Sequence, residues 1–123
     1  MKRPNFQNLS IQQLVSEFVN CAKELGHAVL DSEVRQANRM VVKRMLIDKE
    51  LRSRGLEARL SLQPLLDCRN RFVRYYAAKS LLGIVPGPAR AIIEEIAKHP
   101  FDALGGDAGM TLFNLDEGIF KPN

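Results

Sequence analysis

Two groups of basic side chains are the strongest candidates for a functional role in this sequence. An arginine or lysine can bind a phosphate or a carboxylate through charge-assisted hydrogen bonds. Tyr75 and Tyr76 stand among the second group, where an aromatic ring could stack on a nucleic-acid base or could equally belong to the core. The candidate binding residues are Arg35, Arg39, Lys43, Arg44, Arg69, Arg71, Arg74, Tyr75 and Lys79. Their pattern predicts a binding surface.

No arrangement typical of an enzyme accompanies these residues. His27 and His99 stand at the ends of predicted helices, and the adjacent Glu94 and Glu95 point in different directions on one helix. Motifs such as HExxH, GxSxG and the P-loop are absent from the sequence. We therefore expect no enzymatic activity and no cofactor.

The two cysteines indicate neither a metal site nor a disulfide. Cys21 and Cys68 have no CxxC partner and no neighbouring histidine. The basic N-terminus lacks the apolar segment of a secretory signal, and no apolar run approaches the ~20 residues of a membrane span. We therefore expect a cytoplasmic protein with no membrane partner, whose cysteines are small buried hydrophobic residues.

The charge of the chain is unevenly distributed. The 123 residues have a formal net charge of +4, and 46% are hydrophobic and 26% charged, which is typical of one soluble domain. Residues 35–79 hold 12 basic and 4 acidic side chains, whereas residues 80–123 hold 3 basic and 6 acidic ones. The basic middle could attract nucleic acid, anionic lipid or an acidic protein, although a solvated helical face has the same composition.

The spacing of apolar residues predicts that six helices position these side chains. Apolar residues recur at the i, i+3, i+4 spacing of a helix face, without long alternation of period two and without hairpin dipeptides. The predicted helices cover residues 10–30, 33–54, 57–67, 71–82, 89–98 and 107–116. The sequence therefore predicts an all-α fold with short connections between neighbouring helices.

Capping residues mark the first two helices. Ser10 and Gln13 form the pattern of a capping box. Asp31 or Ser32 is expected to cap the second helix, and Gly55 stands where a glycine ends one. The predicted apolar face of that helix consists of Val34, Ala37, Met40, Val41, Met45 and Leu51.

Charged residues on the second helix repeat at four-residue spacing. Arg35, Arg39 and Lys43 are expected opposite the apolar face. Arg44, Asp48 and Arg52 are expected at its edge, where Asp48 could pair with both arginines.

Prolines and glycines mark the later boundaries. Pro64 is expected to bend or restart the third helix, because proline removes a helix hydrogen bond. Asn70 is expected to cap the fourth helix, which ends at Gly83, and Pro88 suits the first position of the fifth. The glycines at 105–106 predict a flexible break before the last helix.

The segment 57–83 resembles a HEAT repeat. It has a helix ending in a leucine pair, an Asp/Asn-rich turn, then Val-Arg, an alanine pair and a leucine. Small alanines would let two helix axes approach closely, and Arg74 could reach the carbonyls or the Asp67 carboxylate of the preceding turn. The resemblance implies a short right-handed α-α superhelix over 1–123, with two long helices at 10–55 and HEAT-like pairs at 57–118.

The run 106–122, GDAGMTLFNLDEGIFKP, resembles the end of a small bacterial family labelled only as a domain of unknown function, twenty-nineteen in its series. The Arg-Ser-Arg-Gly at 52–55 and the Leu-Gln-Pro-Leu-Leu-Asp at 62–67 are similar too. The resemblance spans most of residues 10–122 and implies a superhelix of the armadillo/HEAT class. It implies no activity, cofactor or catalytic residue.

Three functions are compatible with these observations. The favoured one is a non-enzymatic module that binds a protein, and the alternative is a nucleic-acid-binding helical protein that uses the basic segment 35–79. A HEAT-like DNA glycosylase would need a carboxylate such as Asp48 or Asp67 in a basic groove. The absence of tryptophan argues against that third function.

Overall fold

The computed structural model describes residues 5–123 and shows a helical protein. Its α-helices are α1 (Ile11–Leu30), α2 (Val34–Ser53), α3 (Leu56–Leu60), α4 (Arg71–Leu81), α5 (Pro86–Ala97) and α6 (Ala103–Asp116). Two short 3-10 helices, Phe6–Asn8 and Gln63–Asp67, precede α1 and α4. Residues 5–123 contain no strand. The predicted all-α class with six helices is confirmed.

The chain divides into two compact units. The first ends at Leu62 and contains α1, α2 and α3, and the second, Gln63–Asn123, contains α4, α5 and α6. The boundary falls inside the segment that resembles a HEAT repeat, and the single domain over 1–123 stays a prediction.

The first unit is built on the pair α1 and α2. Ser10 caps α1 by accepting a hydrogen bond from the backbone of Gln13, whose side chain in turn accepts one from the Ser10 backbone, so the predicted capping box is confirmed. Leu14, Phe18 and Leu25 of α1 are fully buried and recur at the spacing of one helix face. Removal of such side chains from water is the main favourable contribution to folding.

The start of α2 differs from the prediction. Neither Asp31 nor Ser32 caps it; the N-cap position is occupied by Glu33, whose side chain makes no capping hydrogen bond. Ser32 has a φ of 57°, because the chain turns sharply between α1 and α2 and one residue must adopt the left-handed conformation. At the other end the prediction is confirmed, since Gly55 has a φ of 103° and follows the helix.

Pro64 restarts the third predicted helix as expected. The α-helical part ends at Leu60, and residues Gln63–Asp67 form a 3-10 helix. Proline lacks the N–H group that a continuous helix would use, so the predicted single segment 57–67 becomes two.

In the second unit, α4 packs against the 3-10 helix and α5, and α5 packs against α6. Asn70 caps α4 as predicted, accepting hydrogen bonds from the backbones of Phe72 and Val73. The helix α4 ends at Leu81 with Leu82 as its C-cap, so Gly83 directly follows the helix, as predicted. In contrast, α5 already begins at Pro86, so Pro88 is not its first residue.

The largest difference from the prediction is at the start of α6. The expected break at 105–106 lies inside this helix, which begins at Ala103 and is capped by Asp102 through a hydrogen bond from the Gly105 backbone at 2.6 Å. A Cβ atom at Gly105 would lie 1.8 Å from the backbone oxygen of His99. Gly105 therefore permits a close approach between two backbone segments and does not interrupt the helix.

Candidate functional site

The predicted binding residues are divided between the two units, and each group is described by itself. Arg35, Arg39, Lys43 and Arg44 belong to α2 in the first unit. The second unit holds Arg69, Arg71, Arg74, Tyr75 and Lys79.

Two arginines of the second unit hold local structure together. The Arg71 guanidinium forms an ion pair with the Asp102 carboxylate at 3.1 Å, beside the cap of α6. The Arg74 guanidinium donates to the backbone oxygens of Cys68 at 2.8 Å and Arg69 at 3.0 Å. The prediction that Arg74 reaches the preceding turn is thus confirmed for its carbonyls. These contacts occupy the cations that a ligand would need.

Tyr75 is not a surface residue, which corrects its place in the predicted binding surface. Its side chain is fully buried, and its hydroxyl bonds to the Thr111 hydroxyl at 2.8 Å and donates to the Asp107 carboxylate. Burial raises the pKa of the Tyr75 phenol far above its usual range, and the hydrogen bond to Asp107 is the second largest cause of this rise. A ring enclosed in this way cannot stack on a nucleic-acid base.

Lys79 and Asp107 extend this cluster from the buried Tyr75 and Thr111 towards the surface, since the Asp107 side chain is 50% exposed. Its Nζ lies 3.8 Å from the Asp107 carboxylate and 5.7 Å from the centre of the Tyr75 ring, in cation–π geometry. The cluster joins α4 to α6, and its hydrogen-bonded partners give it a structural role. Of the predicted group in this unit, Arg69 has an exposed side chain.

The predicted binding cations of α2 also differ in how exposed their side chains are. Lys43 is half-buried and forms an ion pair with Glu17 of α1 at 3.0 Å, and Arg44 is half-buried as well. Arg35 and Arg39, in contrast, have exposed side chains. The predicted basic group of the first unit therefore separates into a part at the edge of the α1–α2 contact and an exposed part.

The exposed part continues along α2 as a stripe of basic and apolar residues. At about 100° per residue, its members lie within an arc of roughly 140° around the helix axis. We define the α2 stripe as Arg35, Asn38, Arg39, Val42, Met45, Lys49 and Arg52, all of which are exposed. Val42 and Met45 are each 57% exposed and lie in its middle, with basic residues on both sides along the helix.

The α2 stripe is positively charged and contains no acidic residue. The side chains of Arg35 and Lys49 form no ion pair or hydrogen bond with the rest of residues 5–123. Arg39 donates to the Gln36 side-chain oxygen at 2.8 Å. Arg52 lies 4.0 Å from Asp48, at the border of the stripe. At least two cations are therefore available to an external acidic group.

Of the seven residues in this stripe, the sequence-based prediction included only Arg35 and Arg39 among the candidate binding residues. It placed Met45 on the buried face of α2 and assigned Val34 there too, but these side chains are 57% and 68% exposed. Only Ile47 and Leu51 of α2 are fully buried. The spacing 35, 39, 42, 45, 49, 52 was visible in the sequence, and it would have joined Val42 and Lys49 to the arginines.

The part of the chain that the structure describes offers little for metal chemistry. Among residues 5–123, no three His, Cys, Asp or Glu side chains are grouped so that they could hold a metal ion. Cys21 and Cys68 are free, and burial raises the pKa of the Cys21 thiol, whose Sγ donates to the Met40 carbonyl at 3.0 Å. None of the described helices combines the length and apolar character that crossing a bilayer requires.

Comparisons with known proteins concern the fold more than the function. The family described as "Domain of unknown function (DUF2019)" matches residues 12–116. The chain is also similar to the protein RPA1889 from Rhodopseudomonas palustris CGA009, known from a crystal structure, with 33% identity and a TM-score of 0.90. That similarity covers 98% of this chain and 100% of the other. No curated protein matches the chain.

Proposed function

Because the chain belongs to the family described as Domain of unknown function (DUF2019), a description that names no activity, we propose its function from its own surface. The protein is a non-enzymatic module that binds another protein through the α2 stripe. It acts in the bacterial cytoplasm, and its helices form a short HEAT-like superhelix. No cofactor takes part.

One observation carries this proposal, namely the exposure of Val42 and Met45 between cations. Water-exposed apolar side chains in the middle of a polar rim are the arrangement found in protein–protein interfaces, where the apolar centre is desolvated. The basic ends of the stripe would supply orientation and attraction over distance.

Nucleic-acid binding is the second candidate, favoured by the exposed cations Arg35, Lys49 and Arg69. Phosphate contacts would use these cations and leave Val42 and Met45 without a role. The burial of Tyr75 also removes the stacking contact on which that hypothesis depended. Protein binding accounts for both kinds of residue in the stripe.

Site-specific photo-crosslinking tests the proposal. A photoreactive amino acid replaces Val42 in the full chain, expressed in its native host, and the control carries it at Lys23, an exposed position of α1. We expect a discrete protein adduct from position 42. An excess of the unmodified chain should suppress this adduct by competition, whereas an excess of an Arg39→Glu chain should not. Equal adducts at both positions, or adducts with nucleic acid alone, would refute protein binding through this face.

A salt titration tests the second candidate directly. Labelled single-stranded and double-stranded oligonucleotides are titrated with the chain at low ionic strength, with fluorescence anisotropy as the readout. Phosphate contacts would give an affinity that falls steeply with salt and is lost in an Arg39→Glu, Lys49→Glu variant. No detectable binding at low salt would remove nucleic acid from consideration.

A further inference from the structure

The chemistry of the α2 stripe restricts what can cover it. We infer that its partner is an acidic amphipathic helix, with an apolar middle and carboxylates towards both ends, that lies along α2. This inference rests on the proposed function, since it names the class of segment bound at the same face.

The length of the stripe sets the length of the partner. Arg35 and Arg52 stand at its ends, 17 positions apart in an unbroken helix, which corresponds to about 26 Å along the axis. A partner helix of roughly 18 residues spans that distance, or about five turns. Short loops would reach one end of the stripe only.

The order of charges along the stripe sets the order of charges in the partner. Arg35 and Arg39 stand at the N-terminal end of the stripe, and Lys49 and Arg52 stand at the other. The cations are exposed, and Arg35 and Lys49 have no ion-pair partner within residues 5–123. Carboxylates at both ends of the partner would meet them, and basic or neutral ends would not.

The middle of the stripe requires an apolar partner surface. Val42 and Met45 are three residues apart, so they form one ridge of the helix surface, and a second helix can place its own apolar side chains beside such a ridge. Methionine is unbranched and adapts to neighbours of different shape. An apolar stripe at i, i+3, i+4 spacing in the partner fits this ridge.

An anionic membrane is a weaker candidate for the same face. The apolar part of the stripe consists of one valine and one methionine, and it includes none of the large aromatic or leucine side chains with which interfacial helices enter a bilayer. The polar part shows no preference, because cations attract lipid phosphates and carboxylates alike. The apolar part therefore favours a protein helix.

The test uses a designed peptide as its probe. A labelled 18-residue helical peptide carries leucines on one face of its central two turns, glutamates on that face towards both ends, and alanine elsewhere. Two matched peptides replace the glutamates by glutamine or by lysine. Each is titrated with the full chain, with an Arg39→Glu, Lys49→Glu variant, and with a Lys23→Glu control whose substitution lies outside the stripe.

We expect the glutamate peptide to bind the unmodified chain and the Lys23→Glu control with equal affinity. Its affinity for the Arg39→Glu, Lys49→Glu variant should be at least tenfold lower. The lysine peptide should prefer that variant to the unmodified chain, and added salt should weaken the binding of each charged peptide to the chain that it prefers. Equal binding of the glutamate and glutamine peptides, or no binding of the glutamate peptide, would overturn the inference. Preference for phosphatidylglycerol vesicles over every peptide, or self-association seen by light scattering and abolished by the same reversal, would also overturn it.

These outcomes are separable from the proposed function. Crosslinking at position 42 to a protein segment that is neither acidic nor helical would keep protein binding and reject the acidic helix. Absence of a specific crosslink would reject protein binding at this face, whatever the peptides do.

Discussion

The Tyr75 hydroxyl on α4 and the Thr111 hydroxyl on α6 are hydrogen-bonded at 2.8 Å, and both side chains are buried. The same phenol donates to Asp107, so one side chain of α4 engages two successive turns of α6. Because α5 lies between α4 and α6 along the chain, these bonds connect the first and the last α-helix of the second unit.

Tyr75→Phe should destabilise the protein by about 1–3 kcal/mol, because it leaves two polar groups without their buried partner. Thr111→Val removes one hydroxyl at nearly constant volume. In a double-mutant cycle the two substitutions together should cost less than the sum of their separate effects, as measured by urea unfolding. Strict additivity would mean that the two hydroxyls do not interact.

The pH dependence of stability should also depend on Tyr75. Its pKa is raised in the folded state, so its contribution is fully present below the unfolded phenol pKa of about 10 and is lost as the pH rises above it. The difference in unfolding free energy between the unmodified chain and Tyr75→Phe should therefore shrink by roughly 1.4 kcal/mol per pH unit above pH 10. Chemical unfolding at pH 9, 10 and 11 measures it, and a constant difference would contradict the burial of the phenol.

Two glycines of α6 should respond to alanine in opposite directions. Gly105→Ala should destabilise the protein by about 3 kcal/mol, since the new methyl group meets the backbone of His99 and only a backbone shift can relieve it. Gly109 has nothing within 4 Å of the corresponding position, so Gly109→Ala should stabilise the helix by about 0.5–1 kcal/mol. Thermal unfolding of both variants is the check, and equal effects would contradict the close approach between Gly105 and the His99 backbone.

Polar substitution of the α2 stripe should leave the fold intact. Val42→Ser and Met45→Gln should change the unfolding free energy by no more than about 0.5 kcal/mol, because both side chains are exposed. Ile47→Ala on the buried side of the same helix should cost about 2–5 kcal/mol. Denaturant unfolding compares them, and a large loss at Val42 or Met45 would mean that these residues serve the core.

Features that depend on neighbouring residues were predictable. Each of three features depends on residues within a few positions of one another, so a short segment is enough to predict it. These features are the capping box of Ser10 and Gln13, the Asn70 cap and the positive φ of Gly55. The same reasoning failed at 105–106, where adjacent glycines suggested a break. The reason for Gly105 is the His99 backbone, which local sequence does not reveal.

The all-α class, most helix boundaries and the excess of basic residues in 35–79 follow from the amino-acid sequence alone. Which of those residues face water depends on how the helices pack. The helical period predicts apolar residues over a wide arc of α2. Of the residues in α2, however, only Ile47 and Leu51 are fully buried. In the second unit, Asp107 and Thr111 supply hydrogen bonds that make it favourable to bury the Tyr75 phenol. Burial depends on what packs against a residue, and that partner is distant in the sequence.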